Sequence, residues 1–366
     1  MTMKEGRSIS EIAHELDRQI KSRRDYLAVS NALEMVAISN DDENLLEETS
    51  SSMAIKGIGD VALGITAHAH SQFAERLSIP KKYYDRMMEA DPVLLAHNVN
   101  TWLHKEPEKR MVRTLDGNVR AFLSSSYRPL DNHDLAETTL PILVDKGCKI
   151  LSCELTETRM YIKAVLPELE TEIKGSRLKG DVVQAGIVIS NSEVGAGSVK
   201  IEPMIYRLVC TNGMISLDSS LKKYHVGRGF DVDGVHEMLS DETRTADDRA
   251  FWLKVRDVVK GAFDREVFDR IINRIESATN DKIKSSNLIE VVEVTANKFA
   301  LNEAHKNSVL AHLIEGGDLS KWGLVNAVTR TANDQKNYEV ATELERTGGK
   351  VLELSPSEWR VIAEAA

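Results

Sequence analysis

The sequence predicts an α+β protein: a largely antiparallel sheet made of hairpins with flanking helices, followed by a helical C-terminal unit. Three observations predict it. Asp116-Gly117 separates two alternating runs, a strong hairpin signal. A second pair of runs, 182–190 and 198–209, flanks a glycine-containing tip at Gly195-Ala196-Gly197. Beyond Val235 the apolar spacing changes to three and four, the helical period.

The 366 residues exceed one average domain, and the change of period divides the chain into an α+β domain at 1–235 and a helical unit at 241–366. With 42% hydrophobic residues, a chain of this length can bury a core without staples. The cysteines, Cys148, Cys153 and Cys210, are few and odd in number, which argues against a disulfide framework. No apolar run reaches the roughly 18 residues of a membrane span. The N-terminus has no apolar signal region, so a cytoplasmic protein without a membrane partner is expected. A net charge of −10 counts against a protein that coats nucleic acid over its whole surface, but it leaves room for a local basic groove.

Ser8 and Glu11 form a capping-box pattern, and Ile9, Ile12, Leu16 and Ile20 follow at helical spacing, predicting a helix over 8–26. Residues 41–52, acidic and then serine-rich, read as a loop. Residues 67–103 are helical in pattern, with Pro80 suited to a first turn. After the first hairpin, Tyr127-Arg128-Pro129-Leu130 closes the second strand. Asp131 or Asn132 caps a helix ending near Gly147, and strands at 149–155 and 159–165 follow. In the C-terminal part, Thr245 caps a segment carrying Phe251, Val255 and Val259. Phe263, Val267, Ile271 and Ile275 continue a stripe, and Gly316-Gly317 separates two late helices.

Two surfaces are candidates. The tip Asn191, Ser192, Glu193, Gly195 and Gly197 is a candidate ligand loop, because its glycines permit close backbone approach. It joins two strands and so is not a dinucleotide fingerprint. Arg110, Arg113, Arg120, Tyr127 and Arg128 around the first hairpin, with Lys200, Arg207, Lys222, Lys223 and Arg228 around the second, could line one positive face. Arginine suits phosphate, and the tyrosines 127, 206 and 224 suit stacked bases. Weaker signals are a helix-turn-helix pattern over 71–89, with Lys81, Lys82, Tyr83 and Arg86 opening its second helix. His68, His70, His97 and His133-Asp134 match no metal-ligand spacing, so neither metal nor cofactor is expected.

The strings Tyr127-Arg128-Pro129-Leu130-Asp131-Asn132, 191–198, 206–214 and 322–329 together resemble a phage- and plasmid-borne family carrying the domain of unknown function 932. The likeness spans roughly 26–333. It implies a mobile-element origin, hence the cytoplasm of a host cell, and supplies no catalytic residue.

The leading expectation is a non-catalytic, nucleic-acid-associated accessory protein acting in replication or recombination. It would bind single strands more than duplex and could form a homo-oligomer. One alternative is a metal-dependent phosphodiesterase using Asp181, Glu193 and Glu202 with Lys200. Another is a module that binds a host protein, which predicts an exposed apolar patch.

Overall fold

The computed structural model describes residues 6–37, 51–57, 62–216 and 241–365. The capping box is formed: Ser8 Oγ accepts from Glu11 N, and the Glu11 carboxylate accepts from Ser8 N at 2.7 Å. It starts helix α1 (Ile9–Ser22), which ends earlier than its pattern suggests. The chain extends instead into strand β1 (Arg24–Val29), whose backbone pairs antiparallel with β5 (Lys109–Leu115).

Strand β5 turns into β6 (Asn118–Ser124) through Asp116 and Gly117, with φ of 52° and 75°. Both central residues take positive φ, as a two-residue loop matched to the strand twist requires. Residues 127–130 lie beyond the end of β6 rather than within it. Besides β1, three short strands of this sheet fall outside the sequence-based expectation: β2 (Leu33–Ala37), β3 (Ser51–Ile55) and β4 (Leu63–Ile65). They complete a six-stranded sheet in the order β1-β5-β6-β4-β3-β2, antiparallel except for the β4–β6 pair. Ser51 and Ser52 therefore belong to a strand, and the remainder of the expected loop, 41–50, lies outside the described residues. Three helices, α2 (Ala67–Arg76), α3 (Lys81–Ala90) and α4 (Pro92–Lys105), cover this sheet. Phe73, Tyr84, Leu95 and Val99 of the helices meet Val112, Val119 and Phe122 of the strands in one core.

Helix α5 (Asn132–Asp145) leads to a second, five-stranded antiparallel sheet. Its order is β11-β10-β9-β8-β7, from β7 (Lys149–Leu155), β8 (Met160–Glu172), β9 (Val182–Asn191), β10 (Lys200–Arg207) and β11 (Asn212–Ile215). Gly147, with φ of 73°, follows the end of α5 as expected. The fold class is α+β, with largely antiparallel sheets and a C-terminal run of helices.

That run comprises α6 (Asp241–Gly261), α7 (Arg265–Asn280), α8 (Leu288–Phe299), α9 (Glu303–Gly316), α10 (Lys321–Asn333), α11 (Tyr338–Leu352) and α12 (Pro356–Ala363). The expected boundary near residue 241 marks a change of secondary structure, not a division of the core. Phe251, Val255 and Val259 of α6 pack with α1, α5 and the strand residues Ile162, Ile187 and Ile189. Val267, Ile271 and Ile275 of α7 share a core with Val183, Ala185 and Ile205 of the sheet. The sheet has too much apolar surface to leave to water, so the helices close over it. The three cysteines are unpaired, with Cys153 buried and the other two half-buried.

Helix α11 is drawn against the sheet by ion pairs, Lys163 to Glu345 at 2.6 Å and Arg346 to Glu202 at 2.7 Å. The approach needs glycine: a Cβ on Gly349 would lie 2.0 Å from the Ile215 carbonyl oxygen, and one on Gly348 would lie 2.3 Å from a methyl of Thr329. Gly349→Ala is expected to cost about 1–3 kcal/mol in urea unfolding by forcing the helix off the strand. Gly261→Ala, where a Cβ meets nothing within 4 Å, should leave stability unchanged or slightly higher.

Candidate functional site

Strand β9 ends at Asn191, and the next turn carries the chain across to the first sheet. Every side chain at the start of this turn is engaged. The Asn191 amide donates to the Leu130 carbonyl at 2.6 Å and to Asn132 Oδ1 at 2.9 Å. Ser192 Oγ accepts from Ala196 N, and Tyr127 donates to the Ser192 carbonyl at 3.3 Å. Gln72 donates to the Val194 carbonyl at 2.7 Å. Val194 enters a small apolar core with Met111, Ala121 and Leu123 of the first hairpin. Gly195 has φ of 79°, and a Cβ there would come within 2.7 Å of Leu123. The candidate ligand loop is therefore first of all the joint between the two sheets.

Charge is concentrated at this joint. Arg113 is wholly buried. Its guanidinium donates to both oxygens of Asp25 at 2.8 and 3.0 Å, to Asp131 at 2.9 Å and to the Glu193 carbonyl at 2.8 Å. Burial opposes its charge, but the two carboxylates outweigh it and hold the guanidinium protonated more firmly than usual. Arg23 pairs with Asp131 at 2.7 Å. Asp131 stands at the N-cap of α5, yet its side chain makes no capping bond because the arginines hold it. Glu193 substitutes: one carboxylate oxygen accepts from Asn132 N at 2.6 Å and the other from Arg120 at 2.7 Å.

Arg120 reaches Glu193 because of a β-bulge. Arg113 pairs with Ala121 and Thr114 with Val119, so Arg120 has no ladder partner. An extra residue re-aims the side chains beside it. Val119 and Phe122 remain on the α2–α4 side, while Ala121 packs against the joint and Arg120 bonds to Glu193 there. A cleft of about 310 Å³ opens beside them, lined by Arg18, Thr66, Asn118, Arg120, Thr156 and Glu193 among others.

Among the described residues expected to line a basic face, none is fully exposed. Arg113, Arg120 and Arg207 are buried, the last in a bidentate pair with Asp181. Arg110 is half-buried and paired with Glu108. Tyr127 and Arg128 are half-buried, and so is Lys200, whose pKa burial lowers. Lys222, Lys223 and Arg228, with Tyr224 and His225, lie outside the described residues. The acids of the phosphodiesterase alternative do not converge. Asp181 pairs with Arg207, Glu193 with Arg120 and Glu202 with Arg346. Asp181 and Glu193 flank opposite ends of β9, a separation of roughly 30 Å at the rise of a strand.

Two of the candidate histidines have structural partners. His68 faces the Val194 carbonyl at 3.0 Å, and His70 meets the buried Tyr84 hydroxyl at 2.8 Å. His133, Asp134 and Glu137 place three ligand atoms within 4.8 Å of one another at the exposed start of α5. Sequence reasoning put Arg23 on the basic face of the first helix and placed neither Arg23 nor Asp25 at the joint, because residues 23–26 fit the end of a helix.

A second recess, of about 260 Å³, lies where α2 and α4 meet the first hairpin. It is lined by Arg76, Leu77, Trp102, Arg110 and Phe122 with Glu106 and Glu108. Trp102 is 43% exposed, and Lys105 lies 5.0 Å from its ring centre. Arg76 donates to the Phe122 carbonyl at 2.9 Å. The helix pair α2–α3 beside it is formed as its pattern suggested, with Lys81, Lys82, Tyr83 and Arg86 exposed.

These features define an α+β protein with two sheets locked by a buried charged joint. The chain belongs to the family of the domain of unknown function 932, whose model matches residues 121–349. The match begins in β6 and ends in α11, so it crosses the change to helix near 241, and it begins well after residue 26. No curated protein and no solved structure matches the chain.

Two consequences can be measured. Arg113→Met leaves Asp25 and Asp131 without their shared cation and should cost about 3 kcal/mol in urea unfolding. His70 is pushed down from 6.5 to about 4 by burial. The unfolded chain then takes up this proton before the folded one, so stability is full above about pH 6.5 and falls toward pH 4. A loss of about 2 kcal/mol from this group is expected between about pH 7.5 and pH 5, and His70→Gln should abolish that part.

Proposed function

We propose that this protein is a non-catalytic, nucleic-acid-associated accessory protein that contacts a single strand at the Trp102 recess. The carrying observation is an exposed indole that lines, with Arg76 and Arg110, a recess of about 260 Å³. Bases stack on exposed aromatic rings whatever their sequence, and guanidinium groups meet the adjoining phosphates. Arg110 was expected in such a role, whereas Trp102 and Arg76 come from the fold. Action inside the cell, in the service of a mobile element, suits this reading.

The charge balance sets the character of the contact. Arg76, Lys105, Lys109 and Arg110 stand against Glu75, Glu106 and Glu108, one net positive charge in a chain of −10. Binding would rest on stacking more than on phosphate attraction. With about two phosphates met, log K should fall against log salt with a slope near −1.4, shallow for a nucleic-acid binder.

The test is fluorescence anisotropy with a labelled single-stranded oligothymidine at low and moderate salt, with magnesium present and the strand checked for cutting. Binding without cutting is expected, and Trp102→Ala should weaken it by about 1–3 kcal/mol. Arg76→Gln should reduce the salt slope. Failure to bind at low salt would overturn the reading, and strand cutting would replace it with an enzymatic one.

A further inference from the structure

We infer that the cleft at the sheet joint is a binding site for a small polar molecule bearing one oxyanion, a carboxylate or a phosphate, gripped by Arg120. The site is separate from the Trp102 recess and independent of it.

Arg120 leaves part of its hydrogen-bonding capacity unused. Its side chain is 9% exposed and spends Nη1 on Glu193. Nε and Nη2 are buried and have no partner among the described residues. These two nitrogens share one edge of the guanidinium plane, the edge that accepts an oxyanion in two parallel bonds. Four other arginines use that edge in this way: Arg18 on Glu15, Arg113 on Asp25, Arg207 on Asp181 and Arg346 on Glu202. Arg120 has the same geometry and no carboxylate to fill it. Buried N–H groups left without acceptors are rare in folded proteins because they forgo water and gain nothing.

Glu193 cannot serve both edges. Its second oxygen is fixed on Asn132 N, and its backbone carbonyl is held by Arg113. It orients Arg120 instead of neutralising the remaining edge. The other acids of the cleft are engaged: Glu15 and Asp116 both hold Arg18, and Glu157 accepts from His68 N at 2.9 Å.

The cleft limits what can bind. About 310 Å³ is at the lower end of the range for small-molecule pockets. Its lining balances four arginines, 7, 18, 120 and 159, against Glu15, Asp116, Glu157 and Glu193, which disfavours a polyanion and suits a single negative group. Thr66 and Asn118 also line the cleft and can hydrogen-bond the rest of the molecule, whereas the Thr156 and Thr158 hydroxyls already donate to Glu339 at 2.7 and 2.5 Å.

The experiment is calorimetric titration of the full chain with inorganic phosphate and, separately, with lactate, at constant ionic strength set by sodium chloride. Saturable one-to-one binding of at least one of them is expected. Arg120→Met should weaken it at least tenfold, and Asn118→Ala, which leaves the Arg120–Glu193 pair intact, should weaken it a few-fold. Arg120→Met combined with Glu193→Gln serves if the single variant does not fold. Arg177→Gln, on a remote loop, should change nothing. Phosphate binding alone would point to a phosphorylated metabolite, and lactate alone to a carboxylic acid. Absence of saturable binding of both anions by the native chain, or binding that survives loss of Arg120, would overturn the proposal. Neither result bears on oligothymidine binding at Trp102.

Discussion

Arg113 carries a full charge into a place that water does not reach. The cost of that burial has to be met by neighbours, and the neighbours come from three other parts of the chain. Asp25 comes from the edge strand β1, Asp131 from the cap of α5, the Glu193 carbonyl from the turn after β9, and Arg113 itself from β5. None of these elements can move without leaving a buried charge unanswered. The relation of the two sheets follows from this one guanidinium. So does the use of Glu193, which takes over the capping of α5 because Asp131 is already held, and thereby holds Arg120 in place.

Local chemistry was legible in the sequence. The Ser8–Glu11 box, the Asp116-Gly117 turn, strands β7 to β10 and the stop at Gly147 depend on neighbours within a few residues. Strands β2 to β4 were not legible. They are three to five residues long, and β3 is buried on both faces, so no alternation betrays it. The candidate arginines show the opposite failure. Arg113 and Arg207 alternate with apolar residues as solvent-facing positions do, and pattern cannot tell a face open to water from one covered by a distant loop. Their partners, Asp25 and Asp181, are 88 and 26 residues away in sequence.

The quoted family strings can be given physical content. Residues 127–132 and 191–198 meet at the joint, where they supply Asn132, Asn191, Glu193 and Gly195. Residues 206–214 and 322–329 meet at a second place: Asn212 donates to Thr329, and Arg207 lies with Trp322 around Asp181. Both places join elements far apart in the chain. The strings carry the contacts that fix the tertiary arrangement, and the joint is also where a cleft opens.

The strand order has a bearing on how the chain matures as it is made. Among the described residues β1 pairs with β5 and β4 with β6, so although β2, β3 and β4 can pair as they emerge from the ribosome, β1 and one edge of β4 wait for partners still to be synthesised. The second sheet waits longer, since Val183 and Ala185 are covered only by helices that continue to residue 363. Nascent chains of this protein therefore expose apolar strands for most of translation. A pause or truncation before the last helices would leave a species prone to association, so the cell's chaperones become part of how this fold is reached.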